Sequence, residues 1–209
     1  MTDETQINTQ TINTSEMQTY PASAVVNYML DNAEKYGVII TPMKLQKLLY
    51  FANGWSWAFY NKPLISDECH AWQYGPVYPS VYNAYKSFGR NEIFSEKGSK
   101  MHDCGNTIGN LVTIVNSFDD VDEGYSEQKT SDDYSYQTIQ DDVAKNLIIN
   151  ILKSYGKAGG VALSEWTHVG SSDNPWLIAR NKGGSSRLKI QDKDIKEYFS
   201  RIKKQGTLK

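Results

Sequence analysis

Residues 41–60 read TPMKLQKLLYFANGWSWAFY, and this stretch decides the fold. Thr41 before Pro42 is a helix start: a hydroxyl placed to accept from an orphan backbone N–H, then a residue whose fixed φ and missing donor suit the first helical position. Behind it, Leu45, Leu48, Leu49, Phe51, Ala52, Trp55, Trp57, Ala58 and Phe59 wrap most of the helical circumference. A surface helix confines its apolar residues to one stripe. Apolar residues on every side therefore predict a helix through the centre of the domain, with neighbours all round.

The flanking sequence supplies those neighbours. Ala22, Val25, Val26, Met29, Leu30 and Ala33 share one helical face, and Gly37 stands where a left-handed residue ends such a segment. Residues 61–67 read as a turn and 69–74 as a short extended piece. Gly75-Pro76-Val77-Tyr78-Pro79 reads as a stiff loop, and Pro79 opens a helix facing inward through Val81, Ala84, Tyr85 and Phe88, closed by Gly89. Periodicity returns at Val143, Leu147, Ile148, Ile151, Leu152 and Tyr155, ending at Gly156. A short helix follows from about Val161 to His168. Asp173 or Asn174 with Pro175 starts another, which ends near Gly183-Gly184. Asp192 is the expected cap of a last helix carrying Ile195, Tyr198, Phe199 and Ile202 on one side.

The predicted fold is thus mainly α: a multi-helix single domain over residues 20–203, with a few short extended segments. Residues 1–19 are too polar to offset their ordering entropy and read as a disordered tail; residues 204–209 read as a second tail. Residues 90–136 read as an irregular, acidic surface insertion in which 111–115 fits either a strand or a helical turn.

Composition narrows the function. The 209 residues are 39% apolar and 22% charged with a net charge of −2, which argues against a general polyanion binder. Charge is uneven, however: acids dominate residues 119–142, and bases dominate from Arg180 onward. Solvated faces account for this; the functional alternative is a polarised surface that steers a partner. With two cysteines and no apolar leader or membrane-length run, a reducing cytoplasm is the expected setting, without a membrane partner.

No catalytic, cofactor or metal site is expected. Cys69-His70 and His102-Asp103-Cys104 lack metal-ligand spacing. A Cys69–His168 nucleophile pair is formally open, yet an ordinary buried cysteine is the simpler reading. Ser171, Ser172 and Asp173 after His168 lack the elbow that a nucleophilic serine needs; helix capping explains them better. Lys44 with Lys47, and Arg201 with Lys203 and Lys204, are too sparse for a nucleic-acid reader.

Three stretches together carry a resemblance. They are Thr41-Pro42-Met43-Lys44-Leu45-Gln46-Lys47-Leu48-Leu49-Tyr50-Phe51-Ala52; then Ala71-Trp72-Gln73-Tyr74-Gly75-Pro76-Val77-Tyr78-Pro79 with Val81-Tyr82; and Leu163-Ser164-Glu165-Trp166-Thr167-His168 with Asn174-Pro175-Trp176 and Ala179-Arg180. In this order they resemble the Panacea-domain family, with its SocA-like and phage-associated GepA-like members, across about residues 22–199. The tail before Tyr20 and the span 119–136 match nothing in that pattern.

The resemblance implies a cytoplasmic antitoxin that binds its cognate toxin directly. The alternative it implies is an adaptor delivering a toxin to a ClpXP-type protease, a role that some members resemble. It supplies no catalytic residues, and its motif positions read as architectural: Leu45, Leu48 and Leu49 as core, Gly75-Pro76 as a bend, Trp176 as an anchor, beside Trp72, Thr167, His168 and Pro175. Tyr74, Tyr78 and Tyr82, flanked by Lys44 and Lys47, are the expected partner contacts, because aromatic residues concentrate at binding hot spots. A DNA-binding autoregulator and a hydrolase built on His168 with nearby carboxylates stand as the rival classes.

Overall fold

The computed structural model describes residues 17–93, 138–170, 172–183 and 188–206. Among these lie seven α-helices: α1 (Ala22–Ala33), α2 (Pro42–Tyr60), α3 (Pro79–Tyr85), α4 (Asp142–Tyr155), α5 (Gly160–His168), α6 (Pro175–Asn181) and α7 (Asp192–Gln205). Short 3-10 turns, Glu34–Tyr36 and Lys86–Phe88, extend α1 and α3. The chain is a mainly α domain, as its periodicity predicts.

Helix α2 is the hub. It packs against α1, α3, α4, α5 and α7 and against the strand that precedes α3. Leu45, Leu48 and Leu49 have no exposed surface, each side chain contributing roughly 1.5–3 kcal/mol of apolar burial. The tightest approach is at Gly54, where a Cβ would overlap the Phe199 ring of α7. Phe199 is held there by edge-on contacts with Tyr50 and Trp55, each at 5.5 Å between ring centres. Phe51 stacks on Tyr155 of α4 at 4.5 Å, and the Trp55 indole N–H donates to the Tyr155 hydroxyl at 2.7 Å. Gly54 is the notch that lets the two helices cross.

Buried polar groups fix the segments around the hub. Asn53 Oδ1 accepts from the backbone N–H groups of Leu64 and Ile65 at 3.0 and 3.1 Å, folding the turn after α2 back against it. The Gln46 carboxamide accepts from Tyr78 N–H at 2.7 Å and donates to Tyr78 O at 3.4 Å. Asp141 caps α4 by accepting from Ala144 N–H, and its other oxygen takes the Tyr20 hydroxyl at 2.6 Å.

Several boundaries differ from expectation. Order reaches back to Met17, which is buried with its sulfur 3.4 Å from the Ser56 hydroxyl; the expected tail thus loses Met17, Gln18 and Thr19. Gly75-Pro76-Val77 is not a loop but strand β2 (Gly75–Val77), paired antiparallel with β1 (His70–Trp72) so that His70 faces Val77 and Trp72 faces Gly75. Proline fits there because β2 has a partner on one side only. Residues 91–93 also belong to the fold: Ile93 is buried and donates its N–H to Ile40 O. Asp192 lies in the first turn of α7 and not at its cap, which is Gln191 without a side-chain bond; the helix continues through Lys204 and Gln205 to left-handed Gly206. The rest of the acidic insertion with its segment 111–115, the tail to residue 16 and residues 207–209 lie outside the described residues.

Two substitutions test the hub. Gly54→Ala should destabilise the domain by about 1–3 kcal/mol in urea unfolding, because the surrounding rings give Phe199 no room to retreat. Tyr20→Phe should cost about 1–3 kcal/mol in the same assay by leaving Asp141 short of a donor.

Candidate functional site

The three motif stretches converge on Gly75. Its φ is +104°, a conformation side chains rarely adopt, and a Cβ there would lie 2.6 Å from Lys47 Nζ, 2.7 Å from Thr167 Oγ1 and 3.2 Å from His168 Nε2. The hub helix, the hairpin and α5 each deliver one wall of this small polar cluster. The Lys47 ammonium donates to Pro76 O at 3.0 Å, Thr167 donates to Ser164 O at 2.7 Å, and Ser164 donates to Tyr74 O at 2.8 Å. His168 packs against the Trp176 ring at 4.1 Å, and the Trp176 indole N–H donates to Trp72 O at 2.8 Å, tying α6 to β1.

Asn174 organises the end of α5. Its Oδ1 accepts from Trp176 and Leu177 N–H to cap α6, while its Nδ2 donates to Thr167 O and Val169 O. Of the two candidate caps it is therefore Asn174 that serves, and buried Pro175 takes the first helical position. Asp173 pairs instead with Arg201 of α7 at 2.5 Å.

The electrostatics are those of a dry interior. Burial pulls the Lys47 amine down to about 8, and burial with the nearby Lys47 charge lowers His168 as well. Burial pushes the Cys69 thiol up to about 12, so it is not the thiolate that a nucleophile requires. His168 Nε2 is buried without a hydrogen-bond partner, and among the described residues no carboxylate reaches it. A general base needs a proton to take and a group to orient it; here the ring faces an ammonium and a tryptophan. Among the described residues no three His, Cys, Asp or Glu side chains stand close enough to share a metal ion, and no helix is long and apolar enough to cross a membrane. His102, Cys104, Ser171 and Gly184 lie outside the described residues.

The expected contact surface is corrected in part. Lys44, Lys47 and Tyr78 are 6%, 1% and 0% exposed and offer a partner almost nothing. Helix α2, packed by its neighbours, draws its lysines inward, and Tyr78 is buried where its backbone bonds Gln46. Tyr74 is 64% exposed at the hairpin turn, and Tyr82 is half-buried with its ring edge-on to Trp72 at 4.8 Å. Sequence reasoning missed Gln46, Asn53 and Asp141, polar residues that pin the segments together. For Gln46 and Asn53, polar side chains inside the apolar stretch 45–56, that position was the available signal.

Lys47 gives a signed pH test. Its folded-state value, about 8, lies below the roughly 10.4 of an unfolded chain, so charging it opposes folding. That penalty, about 3 kcal/mol in all, is fully present below pH 8 and fades as pH rises toward 10.4. Lys47→Met should remove this rise between pH 7.5 and 9.5 in urea unfolding, while leaving Pro76 O unpaired at a cost of about 1–3 kcal/mol. Equal pH slopes in the two proteins would refute the assignment.

The family model described as antitoxin SocA-like, Panacea domain, matches residues 45–176, a span holding every wall of the cluster around Gly75. The chain is 29% identical over 191 residues to the protein named Antitoxin SocA of Caulobacter vibrioides (strain NA1000 / CB15N), covering 89% of this chain and 86% of that relative. No solved structure matches. With more than half of its length matched by the family model, the chain belongs to the antitoxin SocA-like, Panacea-domain family.

Proposed function

We propose that the protein is an antitoxin that neutralises a cognate toxin by direct association. The family match carries this reading, and the relative that aligns over most of both chains bears the name Antitoxin SocA. The site supports it in a second way. The polar groups of the motif cluster are turned inward and used for backbone ties, with Lys47 and Thr167 buried. Such a cluster stiffens a scaffold, leaving recognition to the outer surface. A rigid platform loses little entropy on binding, which favours a stable complex.

The test is to pull the protein down from its native host, identify the co-purifying polypeptide and compare it with the products of adjacent genes. Inducing that polypeptide alone should arrest growth, and co-expression with this chain should restore it. The two should co-purify across an interface on the order of 1,600 Å². Immunoblotting the toxin during rescue separates masking, in which its amount holds steady, from proteolytic delivery, in which it falls. Absence of rescue, or rescue with no complex of any kind, would overturn the reading.

A further inference from the structure

The end of α2 and one edge of α7 form a surface that the motif cluster does not use. Phe59 and Tyr60, the last two residues of α2, are 52% and 44% exposed. Lys203 reaches across from α7, its ammonium 4.5 Å from the centre of the Phe59 ring and donating to Ala58 O at 2.9 Å. Lys196, two turns earlier, lies 5.8 Å from the centre of the Trp57 ring. Lys193 and Lys204 are exposed on the same helix.

Charge at this surface is unbalanced. Helix α2 contains no carboxylate. Several acids are engaged elsewhere: Asp67 with Ala22 N–H and the Ser80 hydroxyl, Glu68 with Lys189, Asp173 with Arg201, and Asp194 with Lys182. Among the described residues, Lys193, Lys196, Lys203 and Lys204 have no carboxylate partner, although Asp192 and Glu197 lie exposed on the same helix. Lys203 and Lys204 also complement the C-terminal carbonyls of α7. That explains their place along the helix, but not the exposed rings beside them.

We propose that this surface docks an acidic polypeptide segment of the partner, with carboxylates on Lys196, Lys203 and Lys204 and an apolar side chain against Phe59 and Tyr60. The inference rests on the antitoxin reading and names the chemistry of the toxin surface. A nucleic acid would need open ring faces for stacking. Here Phe59 is stacked by Trp55 at 5.4 Å and approached by Lys203, while Lys196 approaches Trp57. Phe59 thus offers an edge beside ammonium groups, and Tyr60 meets it tilted at 6.3 Å, an arrangement that suits carboxylates and aliphatic side chains.

The test uses the full chain and the toxin recovered from the native host. Calorimetric titration should show Lys196→Glu/Lys203→Glu/Lys204→Glu binding at least about tenfold more weakly, with a shallower salt dependence. Phe59→Ser should bind more weakly at unchanged salt dependence. Reversing exposed lysines elsewhere, Lys86→Glu/Lys157→Glu, should change affinity by less than about twofold. Since Lys203 also ties α7 to α2, Lys196→Gln/Lys204→Gln, which leaves that tie in place, provides a variant whose melting temperature should match the parent. If the parent binds the toxin and both lysine variants bind within about twofold of it, this surface is wrong and the antitoxin reading survives. If the parent forms no toxin complex, both fall. Tight, lysine-dependent binding of fluorescein-labelled oligo(dT), with toxin affinity untouched by the variants, would replace the peptide by a nucleic acid.

Discussion

Helix α2 can exist only if it is covered on every side. Nearly its whole length from Lys44 to Ser56 is buried, polar residues included, and an isolated helix of that composition would present apolar surface to water in all directions. The requirement propagates outward. Each neighbouring helix must bring an apolar face to α2, and one must come close enough that Gly54 cannot carry a side chain. Enclosure also draws in Gln46, Asn53 and Lys47, whose hydrogen bonds then have to be met within the protein. Each is met by backbone of the connecting segments around the hub: Tyr78, the turn at Leu64 and Ile65, and Pro76 of β2. The hub therefore sets the course of the chain as well as the packing of helices.

The cluster around Gly75 follows from the same demand. A strand passing close to a buried lysine, a threonine and a histidine has room for hydrogen but not for Cβ. Lys47 has no carboxylate partner there, and burying an unpaired ammonium is costly. Apolar residues of similar volume would be easier to accommodate, so the lysine is better understood as fixing where β2 sits than as adding net stability. The same packing sets the state of the other side chains in the cluster. Its histidine faces a cation, its neighbouring cysteine is held as the thiol, and its threonine is committed to a helix carbonyl.

The buried ties and the exposed aromatic surface consequently occupy different parts of the molecule. Leu45, Lys47, Leu48, Leu49, Tyr78 and Thr167 of the motif stretches lie inward, whereas Phe59, Tyr60 and lysines with no carboxylate partner among the described residues gather at the far end of α2 and along α7. A scaffold held from within can keep its fold while its outer surface changes. Here that outer surface pairs aromatic edges with lysines, a combination suited to a partner with carboxylates at its rim.

Sequence alone determined the helices and their inward faces, because periodicity is local: Ala22 to Ala33, Pro42 to Tyr60 and Val143 to Tyr155 each repeat their apolar residues at helical spacing. It also marked the stops at Gly37 and Gly156 and the proline starts of α2, α3 and α6. Only the tertiary structure decided that Gly75–Val77 is a strand, that Met17 and Ile93 belong to the core, and that Asn174 caps α6. The fate of the lysines and tyrosines was decided there as well. Lys47 and Lys203 are the same residue type, yet one is enclosed and the other lies across an exposed ring. Which way a long amphipathic side chain turns depends on what packs over its helix, and that is fixed by residues more than a hundred positions away.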